Sequence, residues 1–178
     1  ARSMGSDWGF YYFSDNEDKD GSMKTGNQRI SLDGENFTFS FRKGGTRKGQ
    51  GITGVNEKKY YLGGMLMTAS VDNKIELLNK NTLERVTVDK FVRDNGLVGK
   101  DVTSGKVGQA NKDDVVYTDG TTGTSGTATG LDITSLTSDY VVINVSGNVV
   151  KSGSKVDGDG YKVVLDGSNR IKQIIATK

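Results

Sequence analysis

Apolar and polar residues alternate along most of this chain, and turn-forming residues break the alternation at intervals of about ten positions. A strand sends successive side chains to opposite faces, so the pattern predicts short antiparallel strands joined as hairpins. The clearest is Asn36-Phe37-Thr38-Phe39-Ser40-Phe41, with three Phe rings on one face and small polar groups on the other. That ring-bearing face needs a cover. Tyr140 to Val145 and Val149 to Lys151 read as a hairpin around Ser146-Gly147-Asn148, and Tyr161 to Leu165 with Arg170 to Ile175 as a second around Asp166 to Asn169. Lys74 to Leu78 and Leu83 to Val88 form another strand pair around Asn79-Lys80-Asn81.

Helix signals are scarce. One short helix is predicted through Asp89-Lys90-Phe91-Val92-Arg93, capped by Thr87 and ended by Gly96. The run from Asp119 to Gly130 is Gly and Thr with almost nothing to bury, so a loop is expected there. The fold class is therefore all-β: tandem hairpins in a repeat or solenoid-like N-terminal array, then a further β-rich region with at most one short helix. Four segments follow: 1–7 as a cloning scar or the cut end of a longer polypeptide, 8–69 as the hairpin array, 70–135 as a β-rich middle region containing the 119–130 loop, and 136–178 as two C-terminal hairpins.

Composition removes whole classes of chemistry. His, Cys and Pro are absent, so there is no disulfide framework, thiolate metal site, cysteine nucleophile or Ser-His-Asp relay. Carboxylates, hydroxyls, amines and aromatics remain. The 24 basic and 22 acidic residues leave a net charge of +2, too little to steer the whole chain onto nucleic acid. No stretch has the ~18 apolar residues of a membrane helix, so neither a nucleic-acid partner nor membrane insertion is expected.

Aromatic residues divide the chain more sharply than charge does. Ten of the 14 fall at or before Tyr61, and they recur in a pattern. Phe10-Tyr11-Tyr12-Phe13 leads to Gly21-Ser22-Met23-Lys24-Thr25-Gly26, Phe37-Thr38-Phe39 to Gly49-Gln50-Gly51-Ile52-Thr53-Gly54, and Lys59-Tyr60-Tyr61-Leu62 to Gly64-Met65-Leu66-Met67-Thr68-Ala69. Phe13 and Phe39 are 26 residues apart, and Phe39 and Tyr61 are 22 apart, a period typical of stacked arrays.

The phrase Phe10-Tyr11-Tyr12-Phe13, a polar turn, then Asp20-Gly21-Ser22-Met23-Lys24-Thr25-Gly26 resembles the cell-wall-binding repeats of Gram-positive surface proteins. That family includes choline-binding and glucan-binding modules. The resemblance covers roughly Trp8 to Ala69, with the C-terminal hairpins as more distant copies. It implies β-hairpins on aromatic strands, often stacked as a solenoid, in a secreted, cell-surface module that is not catalytic and has neighbouring domains in a longer parent chain. In choline-binding members a Trp follows the Thr-Gly phrase and helps cage a quaternary ammonium by cation–π attraction. Asn27 and Val55 stand there in this chain, and Trp8 is its single Trp, so a repeated choline cage is not expected.

Other motifs have plainer readings. Gly49-Gln50-Gly51-Ile52-Thr53-Gly54 spells the dinucleotide fingerprint, but Val55 to Tyr61 continues as turn and strand with no helix to meet a phosphate, so these are turn glycines. Asn16-Glu17-Asp18-Lys19-Asp20-Gly21 opens like a calcium loop, yet Asn27 stands where the closing acid belongs, and an exposed turn is expected. Asp157-Gly158-Asp159-Gly160 turns the chain between hairpins. Arg42 and Lys43, with Arg47, Lys48, Lys58 and Lys59, form a basic zone beside the aromatic strands, which reads either as a solvated face protecting strand edges or as a contact for acidic wall polymers.

No pair of acids stands out for catalysis, and neither a metal nor a cofactor is expected. The expected partner is a cell-wall polymer or glycan. The candidate contacts are Trp8, Tyr11, Tyr12, Tyr60, Tyr61, Arg42 and Lys43, with rings packing on sugar faces and cations on acidic groups. The competing expectation is a spacer without a ligand, and exposure of the rings discriminates between the two.

Overall fold

The structure is a computed structural model and describes residues 9–14, 21–95, 115–117, 122–123 and 134–176. It is mostly strand, in three antiparallel sheets, and contains neither a solenoid nor a closed barrel among the described residues. The chain divides into two compact units, Ala1–Met67 and Thr68–Lys178.

In the N-terminal unit, β1 (Gly26–Leu32), β2 (Glu35–Phe41), β3 (Gly54–Asn56), β4 (Lys59–Leu62) and β5 (Met65–Leu66) form one sheet in the order β1-β2-β5-β4-β3. Three of its turns share one geometry. Leu32 pairs with Glu35, Asn56 with Lys59 and Leu62 with Met65, so each turn has two residues. Both residues have positive φ in each case: Asp33 and Gly34 (+52° and +83°), Glu57 and Lys58 (+49° and +66°), Gly63 and Gly64 (+57° and +96°). This mirror-image turn matches the right-handed twist of the strands it joins. Gly26 and Gly54, each after a Thr, open β1 and β3 with φ of +71° and +107°.

The fingerprint glycines serve the backbone. Gly49 has a φ of +80°, and a Cβ at Gly51 would collide with the Gly63 carbonyl and come within 2.9 Å of the Gly64 nitrogen. A strand follows Gly54, not a helix.

The second unit contains β6 (Ile75–Asn79), β7 (Arg85–Val86), α1 (Val88–Asp94), β8 (Val115–Tyr117), β9 (Thr122–Gly123), α2 (Thr134–Thr137), β10 (Tyr140–Asn144), β11 (Gly153–Val156), β12 (Tyr161–Leu165) and β13 (Ile171–Ala176). One sheet runs β10-β6-β7 and the other β11-β12-β13-β8-β9. Leu77, Val92, Val142, Val163 and Ile174 are fully or almost fully buried in a shared core with Val88 and Phe91. Each such side chain stabilises by about 1.5–3 kcal/mol through removal from water.

Helix α1 follows its local signals. The Thr87 hydroxyl accepts from the Lys90 N–H at 3.1 Å, and Val88, Phe91 and Val92 lie on one helical stripe facing the core. The Phe91 ring meets Tyr140 edge-on at 5.1 Å. Asn95 ends the helix, its side-chain amide donating to the Phe91 carbonyl at 2.8 Å. Gly96, the expected stop, lies outside the described residues. The single turn α2 goes beyond the one short helix expected.

The hairpin turns hold themselves with side chains. Asn144 Oδ1 accepts from the Ser146 and Asn148 N–H groups, both at 3.0 Å. Asp166 Oδ1 does the same for Ser168 and Arg170, Asp157 Oδ1 for Asp159 and Tyr161, and Asn79 Oδ1 for Asn81 and Thr82. In each case a short acceptor replaces the partners that the turn denies its backbone.

The boundaries fall differently from those expected. β6, from the expected middle region, pairs with β10, placing Leu77 opposite Val142. The expected 70–135 and 136–178 segments therefore share one unit. β11, not foreseen as a strand, pairs with β12, so Asp157 to Gly160 is the turn of their hairpin. Within the expected 119–130 loop, Thr122–Gly123 forms β9 against β8. The calcium-like segment 16–20 and the rest of that loop lie outside the described residues.

Candidate functional site

The three Phe rings of β2 obtain only a partial cover. Residues 10–14 lie beside the sheet, where the Gly51 N–H donates to the Phe10 carbonyl at 2.6 Å and the Lys24 N–H to the Tyr12 carbonyl at 2.8 Å. Tyr12 stacks on Phe41 with ring centres 6.4 Å apart, and Phe41 on Phe39 at 6.0 Å with planes within 4° of parallel. The result is a row of three rings on one face of β2. Beside this row the surface opens into a groove of about 300 Å³, walled by Phe10, Tyr11, Leu32, Leu62 and Met65. Phe10 is 73% exposed and Tyr11 44%, whereas Phe41 at the floor is 3% exposed.

The register explains why these residues meet. Ile30 pairs with Phe37, Gln28 with Phe39 and Leu32 with Glu35, so even positions of β1 share the ring face of β2. Met65 of β5 pairs with Phe39 and also with Leu62 of β4, extending that face. Gly63 makes room for Phe10, since a Cβ there would approach the ring to 2.8 Å.

The groove is lined by no charged residue and is almost wholly apolar, Tyr11 and Tyr12 bringing the polar side-chain groups of its lining. Flat rings without charged neighbours suit the apolar C–H faces of a sugar.

Of the expected contacts, Tyr11 and Tyr12 line the groove. Tyr60 and Tyr61 do not: they are 9% and 2% exposed and belong to the interior of the unit. They sit in β4, between β5 and β3, and burial raises both phenol pKa values, with Glu57 adding for Tyr61. Arg42 and Lys43 are exposed but line a separate recess with Ser40; Arg42 continues the alternation in which Ser40 opposes the Phe face, and Lys43 lies beyond the end of β2. Trp8 lies outside the described residues. At the two positions where choline-binding members carry Trp, Asn27 shares the face of Ser40 and Val55 is 60% exposed.

Phe39, Phe41, Leu62 and Met65 were not foreseen as site residues. The signal for part of the set was present in the uncovered ring face of Asn36 to Phe41.

Among the described residues no group of three acidic side chains is placed to hold a metal ion, and no helix is long and apolar enough to cross a membrane. No family model, curated protein or solved structure matches this chain.

Proposed function

We propose that this chain is a non-catalytic module of an exported Gram-positive protein, acting at the cell surface and binding cell-wall glycan through the aromatic groove. The observation that carries this reading is the convergence of Phe10, Tyr11, Tyr12, Phe39 and Phe41 on one open groove, with Phe10 and Tyr11 left to solvent. An aromatic row with no ligand would ordinarily be covered, since each exposed ring forfeits its transfer free energy. The location and the wall-polymer class rest on the resemblance of residues 10–26 to cell-wall-binding repeats.

A second reading, a spacer that presents a neighbouring domain and binds nothing, is favoured by the burial of Tyr60 and Tyr61. Retention of the purified chain on Gram-positive cell walls separates the two. The receptor reading expects retention that neutral wall saccharides compete away. No retention on intact walls leaves the spacer.

A further inference from the structure

The sheet face opposite the rings carries a second recess, of about 310 Å³, whose chemistry is the reverse of the first. Asn27 of β1 pairs with Ser40 of β2, and Asn56 of β3 reaches the same place, its Nδ2 donating to Ser40 Oγ at 3.3 Å. Ser40 is 1% exposed. A hydroxyl that accepts one bond keeps its own proton to donate, and inside a recess that donor wants an acceptor.

Two cationic residues, Arg42 and Lys43, line the same recess. The Arg42 backbone is fixed on both sides, its N–H donating to the Gln50 carbonyl at 2.9 Å and its carbonyl accepting from the Gly49 N–H at 2.8 Å. The Lys43 stem crosses Gly26, where a Cβ would lie 3.2 Å from Lys43 Cε. The glycine that opens β1 therefore also leaves room for the lysine. Arg42 and Lys43 form no ion pair among the described residues. Glu57 is the one acid lining the recess, so two positive charges and one negative leave a single net positive charge.

We infer that this recess binds a phosphodiester group of a polyol-phosphate polymer. The group carries one negative charge, matching the excess, and its tetrahedral oxygens take donors from several directions. Arg42, Lys43 and the Ser40 hydroxyl are three separate donors on the lining, whereas a planar carboxylate is satisfied by one guanidinium fork. The amides of Asn27 and Asn56 suit the hydroxyls of the polyol. The choice of polymer rests on the wall-binding reading above, but this recess is separate from the groove and involves neither Phe10 nor Tyr11.

The test is calorimetric titration of the full chain with a glycerol-phosphate oligomer, a hyaluronate oligosaccharide and a single-stranded oligonucleotide, each at low and physiological salt. The expected result is binding of the glycerol-phosphate oligomer that weakens as salt rises, drops at least tenfold in the R42Q/K43Q double variant, and is unchanged in Phe10→Ala. No binding, equal binding by the double variant, or equal binding of the carboxylate polymer overturns the inference. Equal binding of the oligonucleotide overturns the polyol part, since the phosphodiester alone would then be read. Circular dichroism of the double variant checks that these exposed substitutions leave the fold in place. If Phe10→Ala abolishes saccharide retention while R42Q/K43Q leaves oligomer binding intact, this inference fails and the groove reading stands. If R42Q/K43Q abolishes oligomer binding while Phe10→Ala leaves saccharide retention intact, the phosphodiester site stands and the groove reading fails.

Discussion

The Tyr161 hydroxyl donates to Asp89 Oδ1 at 3.0 Å, joining strand β12 to helix α1 across 72 residues of sequence. The same carboxylate accepts from Arg93 Nε at 2.8 Å, so one side chain links a helix to itself and to the sheet beneath it. Burial raises the Tyr161 pKa far above the usual phenol value, with Asp89 adding to the effect.

Tyr161→Phe removes this bond and is expected to cost about 1 kcal/mol at pH 7. A raised folded pKa means that the folded state favours the neutral phenol. That contribution is complete below the unfolded value of about 10 and is lost as pH rises beyond it. Urea unfolding at pH 7 and pH 11 should show the advantage of the natural chain over Tyr161→Phe shrinking at the higher pH. A constant gap would contradict the assignment.

At the acid end Asp89 governs. The Arg93 hydrogen bond is the largest cause holding its carboxyl below the usual range, with the Tyr161 bond also lowering it against burial. A depressed folded pKa gives stability that is present above about pH 3.9 and lost as pH falls through the lower folded value. Asp89→Asn should therefore be less stable than the natural chain at pH 6, and the difference should narrow toward pH 2. The comparison cancels Asp157, whose pKa burial raises and whose contribution runs the other way. Parallel acid limbs for the two proteins would refute the role.

Gly51→Ala should damage the N-terminal unit, because its Cβ meets the Gly63 and Gly64 backbone, which cannot swing aside as a side chain would. The cost is expected at about 1–3 kcal/mol. Amide hydrogen exchange is the measurement: β1 to β4 should lose protection while β10, β12 and β13 keep theirs. Uniform loss along the chain would show that the two units do not respond separately.

Phe10→Ala removes a ring that is 73% exposed and Tyr11→Ala one that is 44% exposed, so each should change the unfolding free energy by no more than about 1 kcal/mol. Retention on cell walls stripped of polyol-phosphate polymer should fall at least tenfold in the double variant. Unchanged retention with an intact fold would sink the groove as the binding site.

The hairpins around Asn144, Asp166 and Asn79 were legible in the sequence because their chemistry is local. Each residue accepts N–H groups two to four positions ahead, and no distant partner is needed. Helix α1 was legible for the same reason, with Thr87 capping Lys90. The ring-bearing face of β2 was also visible, though not what would stand beside it.

Two Tyr-Tyr pairs show where that legibility ends. Tyr11-Tyr12 and Tyr60-Tyr61 are alike as dipeptides, yet the first pair lines a groove and the second is buried. Tyr60 and Tyr61 lie in a strand paired on both sides, whereas Tyr11 pairs with the sheet through a single bridge to Gln50. The sequence by itself determined alternation, turn positions, the helix cap and the absence of His and Cys chemistry, all set by neighbours along the chain. The tertiary structure alone decided which rings face water, that Arg42 and Lys43 stand apart from Tyr11, and that β6 joins β10. Those outcomes depend on strand register and on which distant segments pair, and a period-two pattern is compatible with many partners until one register buries its apolar face.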